Sequence, residues 1–269
     1  IVDVFVIPED IKELVKLIAF LRKEGIIYYI LGRGSNILVS DKGLPGCVVY
    51  IGKDFGGIKI KGNKLECGAG ATLGEVCEEA LTFGLTGLEP LCGIPGSIGG
   101  AVAMNAGAYN REISDLVVSC DVIDETGKVK TLKKDKLDFS YRHSAIGDND
   151  YIVTKVVLSL EEGDSKKIKE EMEKVKKWRV TRQPLEYPSA GSTFKRPETG
   201  TASELIDKCM LKGKTVGGAQ VSDKHCGFIV NKDSATSNDV YKLMQQVKQQ
   251  VSIYYGVDLE PEIKLWGKF

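Results

Sequence analysis

Histidine is almost missing from this chain of 269 residues: only His143 and His225 occur, far apart. Neither sits in a zinc-ligand spacing or beside a nucleophile, so zinc chemistry and a Ser-His-Asp triad are not expected, and no metal is. Cysteine excludes nearly as much. The seven residues 47, 67, 77, 92, 120, 209 and 226 form no C-x-x-C pair. A disulfide framework and a four-thiolate site are therefore not indicated, and the thiols read as buried, reduced groups of a cytosolic protein. Charge of one sign is missing too, because 37 Lys and Arg balance 37 Asp and Glu. Without a basic surface to draw in a polyanion, nucleic acid is not an expected partner. No apolar run approaches the roughly 20 residues of a membrane span, and no signal peptide precedes the first strand. The expectation is a cytoplasmic, soluble chain without a membrane partner.

What is present is an ordinary globular composition, 42% hydrophobic and 28% charged, on a chain long enough for two or three compact units. Ile1–Ile7 reads as a strand, and Pro8-Glu9-Asp10 opens a helix with Ile11, Leu14, Val15, Ile18 and Leu21 on one face, closed by Gly25. Ile26–Leu31 is a continuous apolar run and reads as a buried strand. Thr72-Leu73-Gly74-Glu75 and Thr201-Ala202-Ser203-Glu204 are capping boxes that start helices. Glu125-Thr126-Gly127 separates two strands as a hairpin turn, and Ile152–Leu160 is a further strand. The polar break Glu161–Asp164 reads as a domain boundary, followed by a charged helix from 165 to about 180. A last helix spans about 238–254, and 257–266 reads as a strand. The class is α+β.

Several segments carry candidate chemistry. Gly32-Arg33-Gly34-Ser35-Asn36 follows a strand, where backbone N–H groups can gather around a phosphate, although a tight turn accounts for it equally well. It is not the dinucleotide fingerprint, because the third Gly is replaced by Ile37. Gly213-Lys214-Thr215 is no P-loop, since Lys208 stands where that motif needs Gly. The nearly uncharged stretch 87–109, GLEPLCGIPGSIGGAVAMNAGAY, lets backbone approach a flat ring or a pyrophosphate, or else forms a tightly packed loop. Ser140-Tyr141-Arg142-His143-Ser144 is a cluster of donors around an obligate cation, or simply an exposed polar loop. Ala190–Pro197 sets Ser192 beside Lys195 and Arg196, a loop that could hold an anion, although a lone Ser is usually structural.

Taken in order, LGRGSNILVSD at 31–41, GIPGSIGGAVAMNAGAY at 93–109, SYRHS at 140–144, SAGSTFKRP at 189–197 and LEPEIKLWG at 259–267 closely resemble the UDP-N-acetylenolpyruvoylglucosamine reductase family. The resemblance runs essentially from Ile1 to Gly267. It implies an FAD-binding unit of the vanillyl-alcohol-oxidase (PCMH) type over 1–163, with subdomains of about 1–52 and 53–163. A C-terminal α/β substrate domain would occupy 164–256, and 257–269 would be a strand returning to the active site. It further implies non-covalent FAD, with its pyrophosphate at Gly32, Arg33, Gly34, Ser35 and Asn36 and at Gly93, Gly96, Ser97, Ile98 and Gly99. Asn105, Gly107, Ala108 and Ile152 would complete the cofactor contacts.

NADPH would be the co-substrate and UDP-N-acetylglucosamine enolpyruvate the substrate, handled by a monomer. By resemblance, Arg142 matches the catalytic Arg, Glu262 the catalytic Glu and Ser192 the proton donor. Tyr141, Arg179, Arg182, Lys195 and Arg196 align with substrate-contacting positions. The short span from Lys212 to Asn231 looks like the form of the family without an inserted substrate loop. Two other readings stay open at this point: a flavin oxidase of the same fold, and a sugar-nucleotide binding module whose Gly-rich loops are only structural.

Overall fold

The computed structural model describes residues 1–269, and the chain divides into two compact units, each discontinuous in sequence. The larger comprises Asp3–Arg33 and Gly46–Lys177. The smaller comprises Ile1–Val2, Gly34–Pro45 and Trp178–Phe269.

In the larger unit, Asp10 caps the helix Ile11–Lys23 by accepting from the Glu13 N–H, so Pro8 lies ahead of the helix instead of in its first turn. Leu14, Ile18 and Leu21, spaced as one helical stripe, are buried. Each such side chain stabilises the fold by about 1.5–3 kcal/mol. Gly25 (φ +63) then turns the chain into the strand Tyr28–Leu31, which pairs in parallel with Cys47–Tyr50. That strand starts two residues later than its apolar run suggested and is half-buried along its length.

The second sheet has five strands in the order Val129–Lys133, Val117–Ile123, Ile152–Ser159, Lys64–Gly68, Ile58–Lys61, all antiparallel. The capping box at Thr72 forms as expected: Thr72 Oγ1 accepts the Glu75 N–H, and Glu75 accepts the Thr72 N–H, starting the helix Leu73–Thr82. A short helix, Ile98–Ala103, follows the Gly-rich turn. One hydrophobic cluster joins both expected subdomains, from Leu14 through Leu65, Ile98 and Val156 to Val175.

Val175 belongs to the helix Ser165–Arg182, whose buried Ile168, Met172 and Val175 pack in that cluster. The division therefore falls at Lys177/Trp178 and not at Gly163. The polar break misled because Glu161–Glu162 is a short strand paired with Leu85–Thr86, and the helix beyond is polar on its solvent faces only.

The smaller unit holds a four-stranded antiparallel sheet, Ser189–Ser192, Phe228–Asn231, Ala219–Val221, Thr215–Val216, with helices Ala202–Lys208 and Ser237–Tyr255. Its core includes Phe194, Ile206, Leu243, Val247 and Ile263. The expected strand 257–266 shrinks to Lys264–Trp266, because Pro261 lacks a donor and enters only one isolated bridge, to Phe194. Lys264–Trp266 pairs in parallel with Ile37–Val39, which draws residues 34–45 out of the expected first subdomain. All seven cysteines are free and six are buried, and burial raises the Cys67 thiol to about 12 and the Cys226 thiol to about 11.

Candidate active site

Two sequence-distant glycine loops meet in the larger unit. Gly32 ends the first strand–turn, and a Cβ on it would stand 2.6 Å from Ser97 Oγ. The Ser97 hydroxyl is the one atom such a Cβ would crowd, since Ser97 Cβ stands at an ordinary 3.7 Å, and the close approach of the two turns suits a cradle for a pyrophosphate. Arg33 beside Gly32 is exposed and adds positive charge.

The second turn is held from behind. The Ile98 N–H donates to Ala71 O (2.8 Å), the Gly99 N–H to Ala69 O (2.9 Å), and the Leu73 N–H to Gly96 O (3.0 Å). Ser97 Oγ caps the short helix by accepting the Gly100 N–H at 3.4 Å. The N–H groups of Ile98 and Gly99 are thus used within the protein, contrary to a role as phosphate donors, while those of Gly96 and Ser97 stay outside this ladder. Gly99 serves packing, since a Cβ there would come within 2.9 Å of Ala69 Cβ. Gly93 lies half-buried in the turn ahead of this loop. Ile152 is 2% exposed within the core, so its side chain does not line an open surface.

The Gly-rich stretch ends in a two-residue hairpin, Gly107–Ala108 paired with Arg111–Glu112. Tyr109 (φ 51) and Asn110 (φ 60) form its turn, the left-handed pair that a tight hairpin requires. Close to it stands Arg142. Its Nη2 donates to Gly107 O at 3.0 Å and Nη1 to Asn105 O at 3.4 Å, while its guanidinium lies 5.0 Å from the Tyr141 ring centroid. Arg142 itself has φ 55, and the loop 140–143 closes through a bridge between Ser140 and His143. Left-handed non-glycine residues are costly and persist where surrounding structure over-determines them, commonly at functional sites.

Asn105 was expected among cofactor contacts. It is fully buried, and protein groups meet its amide: Nδ2 donates to Glu112 Oε2 (2.7 Å) and Ser140 O (2.9 Å), and Oδ1 accepts the Ser114 N–H (3.2 Å). Glu112 and Ser114 escaped sequence reasoning, because nothing in their spacing marks them as partners of a residue seven or nine positions back.

The smaller unit assembles a second group. Ser192 ends a strand with a register irregularity at Gly191 (φ +82), and a Cβ on Gly191 would stand 3.7 Å from Ser35 O. The Glu262 N–H donates to Thr193 O (2.9 Å), Asn36 Nδ2 donates to Glu262 O (3.1 Å), and the Lys264 N–H donates to Asn36 O (2.9 Å). Ser35, Asn36, Ser192 and Glu262 are therefore brought together by backbone pairing. Lys195 is half-buried and paired with Glu260 at 2.6 Å. Arg196 is exposed, Arg179 sits in the last turn of its helix, and the Arg182 guanidinium covers the Trp178 ring at 4.3 Å. A cavity of about 280 Å3 is lined by Thr193 and Ile263, the neighbours of Ser192 and Glu262, together with Ile37, Ala190 and Asn231. No cluster of His, Cys, Asp and Glu offers a metal site.

Comparison with known proteins identifies the two parts of the chain at the level of family. Residues 2–133 match the profile of an FAD binding domain, and residues 183–266 match that of the UDP-N-acetylenolpyruvoylglucosamine reductase C-terminal domain. A Clostridium botulinum (strain Okra) protein named UDP-N-acetylenolpyruvoylglucosamine reductase is 46% identical over 266 residues, covering 99% of this chain and 87% of that protein. A protein of the same name from Caldanaerobacter subterraneus subsp. tengcongensis is 44% identical over 266 residues, with 99% and 88% covered. The crystal structure of UDP-N-acetylenolpyruvylglucosamine reductase from Thermus caldophilus superposes with a TM-score of 0.84 at 36% identity, covering 98% of this chain and 92% of that one.

Proposed function

The chain belongs to the UDP-N-acetylenolpyruvoylglucosamine reductase family, FAD-dependent oxidoreductases of peptidoglycan biosynthesis, and on that premise we propose that it reduces UDP-N-acetylglucosamine enolpyruvate to UDP-N-acetylmuramate with NADPH. The observation that carries the reading is the fixed guanidinium of Arg142, held on two carbonyls of the Gly-rich segment that also bears the cofactor loop. The close pair Gly32 and Ser97 fits an FAD pyrophosphate. Bound flavin supplies the hydride chemistry.

The remaining work falls to side chains. Reduction of the enolpyruvyl double bond builds negative charge on the carbon that bears the carboxylate. The Arg142 guanidinium, planar and permanently charged, pairs with that carboxylate as its charge grows. Ser192 gives its hydroxyl proton to the same carbon; a hydroxyl is a weak acid, but a carbanion is a base strong enough to take it. Glu262 is a hydrogen-bond partner of the reacting group, held in place through its backbone bonds to Thr193 and Asn36. Tyr141, Arg179, Arg182, Lys195 and Arg196 supply the aromatic and basic surface for the sugar diphosphate. As part of the same proposal, the reaction takes place in the cytoplasm on a monomer.

Flavin absorbance tests this directly. NADPH should bleach the bound flavin, and the enolpyruvyl substrate should restore the colour under anaerobic conditions. A flavin that NADPH leaves oxidised, or that only oxygen reoxidises, overturns the reading.

A further inference from the structure

We propose that Asn105, with Glu112 behind it, is the positioning residue that sets the Arg142 guanidinium for the substrate half of the reaction. The inference rests on the role of Arg142 given above and adds two residues to it. Asn105 reaches Arg142 by two routes. Its own carbonyl accepts from Arg142 Nη1, and its Nδ2 donates to the carbonyl of Ser140, two residues ahead of Arg142. Ser140 is the base of a tight turn: its N–H donates to His143 O (3.2 Å), and the His143 N–H donates back to Ser140 O (3.1 Å). Tyr141 and Arg142 form the tip. One residue therefore holds the stem of the turn through its side chain and offers the guanidinium at the tip an acceptor through its backbone carbonyl, whose place the buried side chain anchors.

The chemistry of the site calls for an amide. Both Nδ2 hydrogens meet acceptors, the Glu112 carboxylate and Ser140 O, while Oδ1 meets a donor, the Ser114 N–H. A carboxylate would put like charge 2.7 Å from Glu112, and an apolar residue would leave buried donors and acceptors unpaired. Glu112 is held in turn, its N–H donating to Asp115 Oδ2 at 3.0 Å. Asn105 (φ 42), Tyr109, Asn110 and Arg142 are all left-handed, so the segment carries strain that a satisfied network has to restrain.

The test uses rapid mixing of the FAD-loaded full chain, following each half-reaction separately. Asn105→Ala should leave flavin reduction by NADPH within about twofold and slow reoxidation by the enolpyruvyl substrate about 10²-fold, the size of effect that a misplaced catalytic group produces. Arg142→Lys should slow the same step, and Asn105→Ala combined with Arg142→Lys should be no slower than Arg142→Lys alone, because residues acting through one group are not additive. Glu112→Gln, which keeps an oxygen for the amide, should recover most of the rate lost in Glu112→Ala. If Asn105→Ala fails to fold or to retain FAD, the Glu112 pair decides by the same criteria. Multiplying effects, or equal slowing of both half-reactions, overturn the positioning role while leaving Arg142 its own. Arg142→Lys at the wild-type rate overturns the proposed function itself.

Discussion

At Ser192 the proposed chemistry depends on one hydroxyl whose neighbours are set by backbone pairing, with Thr193 O accepting the Glu262 N–H on one side and Ser192 pairing with Phe228 on the other. Ser192→Ala leaves that pairing intact and removes only the proton. The expected outcome is flavin reduction by NADPH at nearly the normal rate, and reoxidation by the enolpyruvyl substrate slowed about 10²–10⁴-fold, the range of general acid catalysis. Stopped-flow absorbance separates the two, and equal slowing of both would make Ser192 a structural residue. Gly99 poses a contest of magnitudes. Alanine there gains about 1 kcal/mol of helix propensity but sets a Cβ against Ala69 Cβ at 2.9 Å and Ala69 O at 3.0 Å, both fixed by the chain, and overpacking costs about 1–3 kcal/mol. Gly99→Ala should therefore destabilise the chain by about 1 kcal/mol in urea unfolding. A variant as stable as the parent would mean that the 69–71 segment yields.

Among the elements, caps were the most legible feature, because each is written within four residues. The boxes at Thr72 and Thr201 form with both reciprocal bonds, and a third with Asp in place of Glu, Thr236 to Asp239, has the same spacing and starts the Ser237–Tyr255 helix. Thr72→Ala should lower stability by about 1 kcal/mol, measured by thermal or denaturant melts, with no change in flavin spectrum. The hairpin at 124–128 carries a pH signature. Asp124 Oδ1 accepts from the Thr126 hydroxyl and from the Thr126 and Lys128 N–H groups, and these bonds, led by the hydroxyl, hold its carboxyl at about 2, below the ordinary 3.8. A lowered folded value means that the stabilisation is complete above pH 3.8 and is lost as pH falls through about 2. Melting temperatures measured from pH 5 to pH 2 should fall less steeply for Asp124→Asn than for the parent chain. Parallel curves would remove Asp124 from the acid response. What stayed illegible were elements without local rules: the hairpin at Tyr109-Asn110 lacks the usual Gly, and 257–266 looked like one strand until Pro261 interrupted it.

Across the whole molecule, the composition and the ordered motifs pointed to the α+β class and the flavin-enzyme family, whereas membership of the compact units was invisible. Residues 34–45 join the C-terminal unit through a parallel pairing some 230 positions away, and parallel pairs have no adjoining turn to announce them. The Asn105 network was hidden for the same reason, since Ser140 is a neighbour only in space. That discontinuity makes a prediction. A fragment Trp178–Phe269 keeps the four-stranded sheet and the core of Phe194, Leu243 and Val247, but loses every bond that the 34–45 segment makes. These include the Ile37–Val39 partner of Lys264–Trp266, the Asn36 contact with Glu262, and Asp41, whose carboxylate accepts from the Ser237 N–H (2.6 Å) and hydroxyl (2.7 Å) and lies below the usual carboxylate range for that reason. Hydrogen exchange should then find the 237–255 helix protected and the amides of Lys264–Trp266 open, while the Glu262 N–H keeps its bond to Thr193 O, and fusing residues 34–45 to the fragment should restore the protection of 264–266. If those amides are protected without the added segment, the smaller unit is complete from Trp178 onward and residues 34–45 are no part of it.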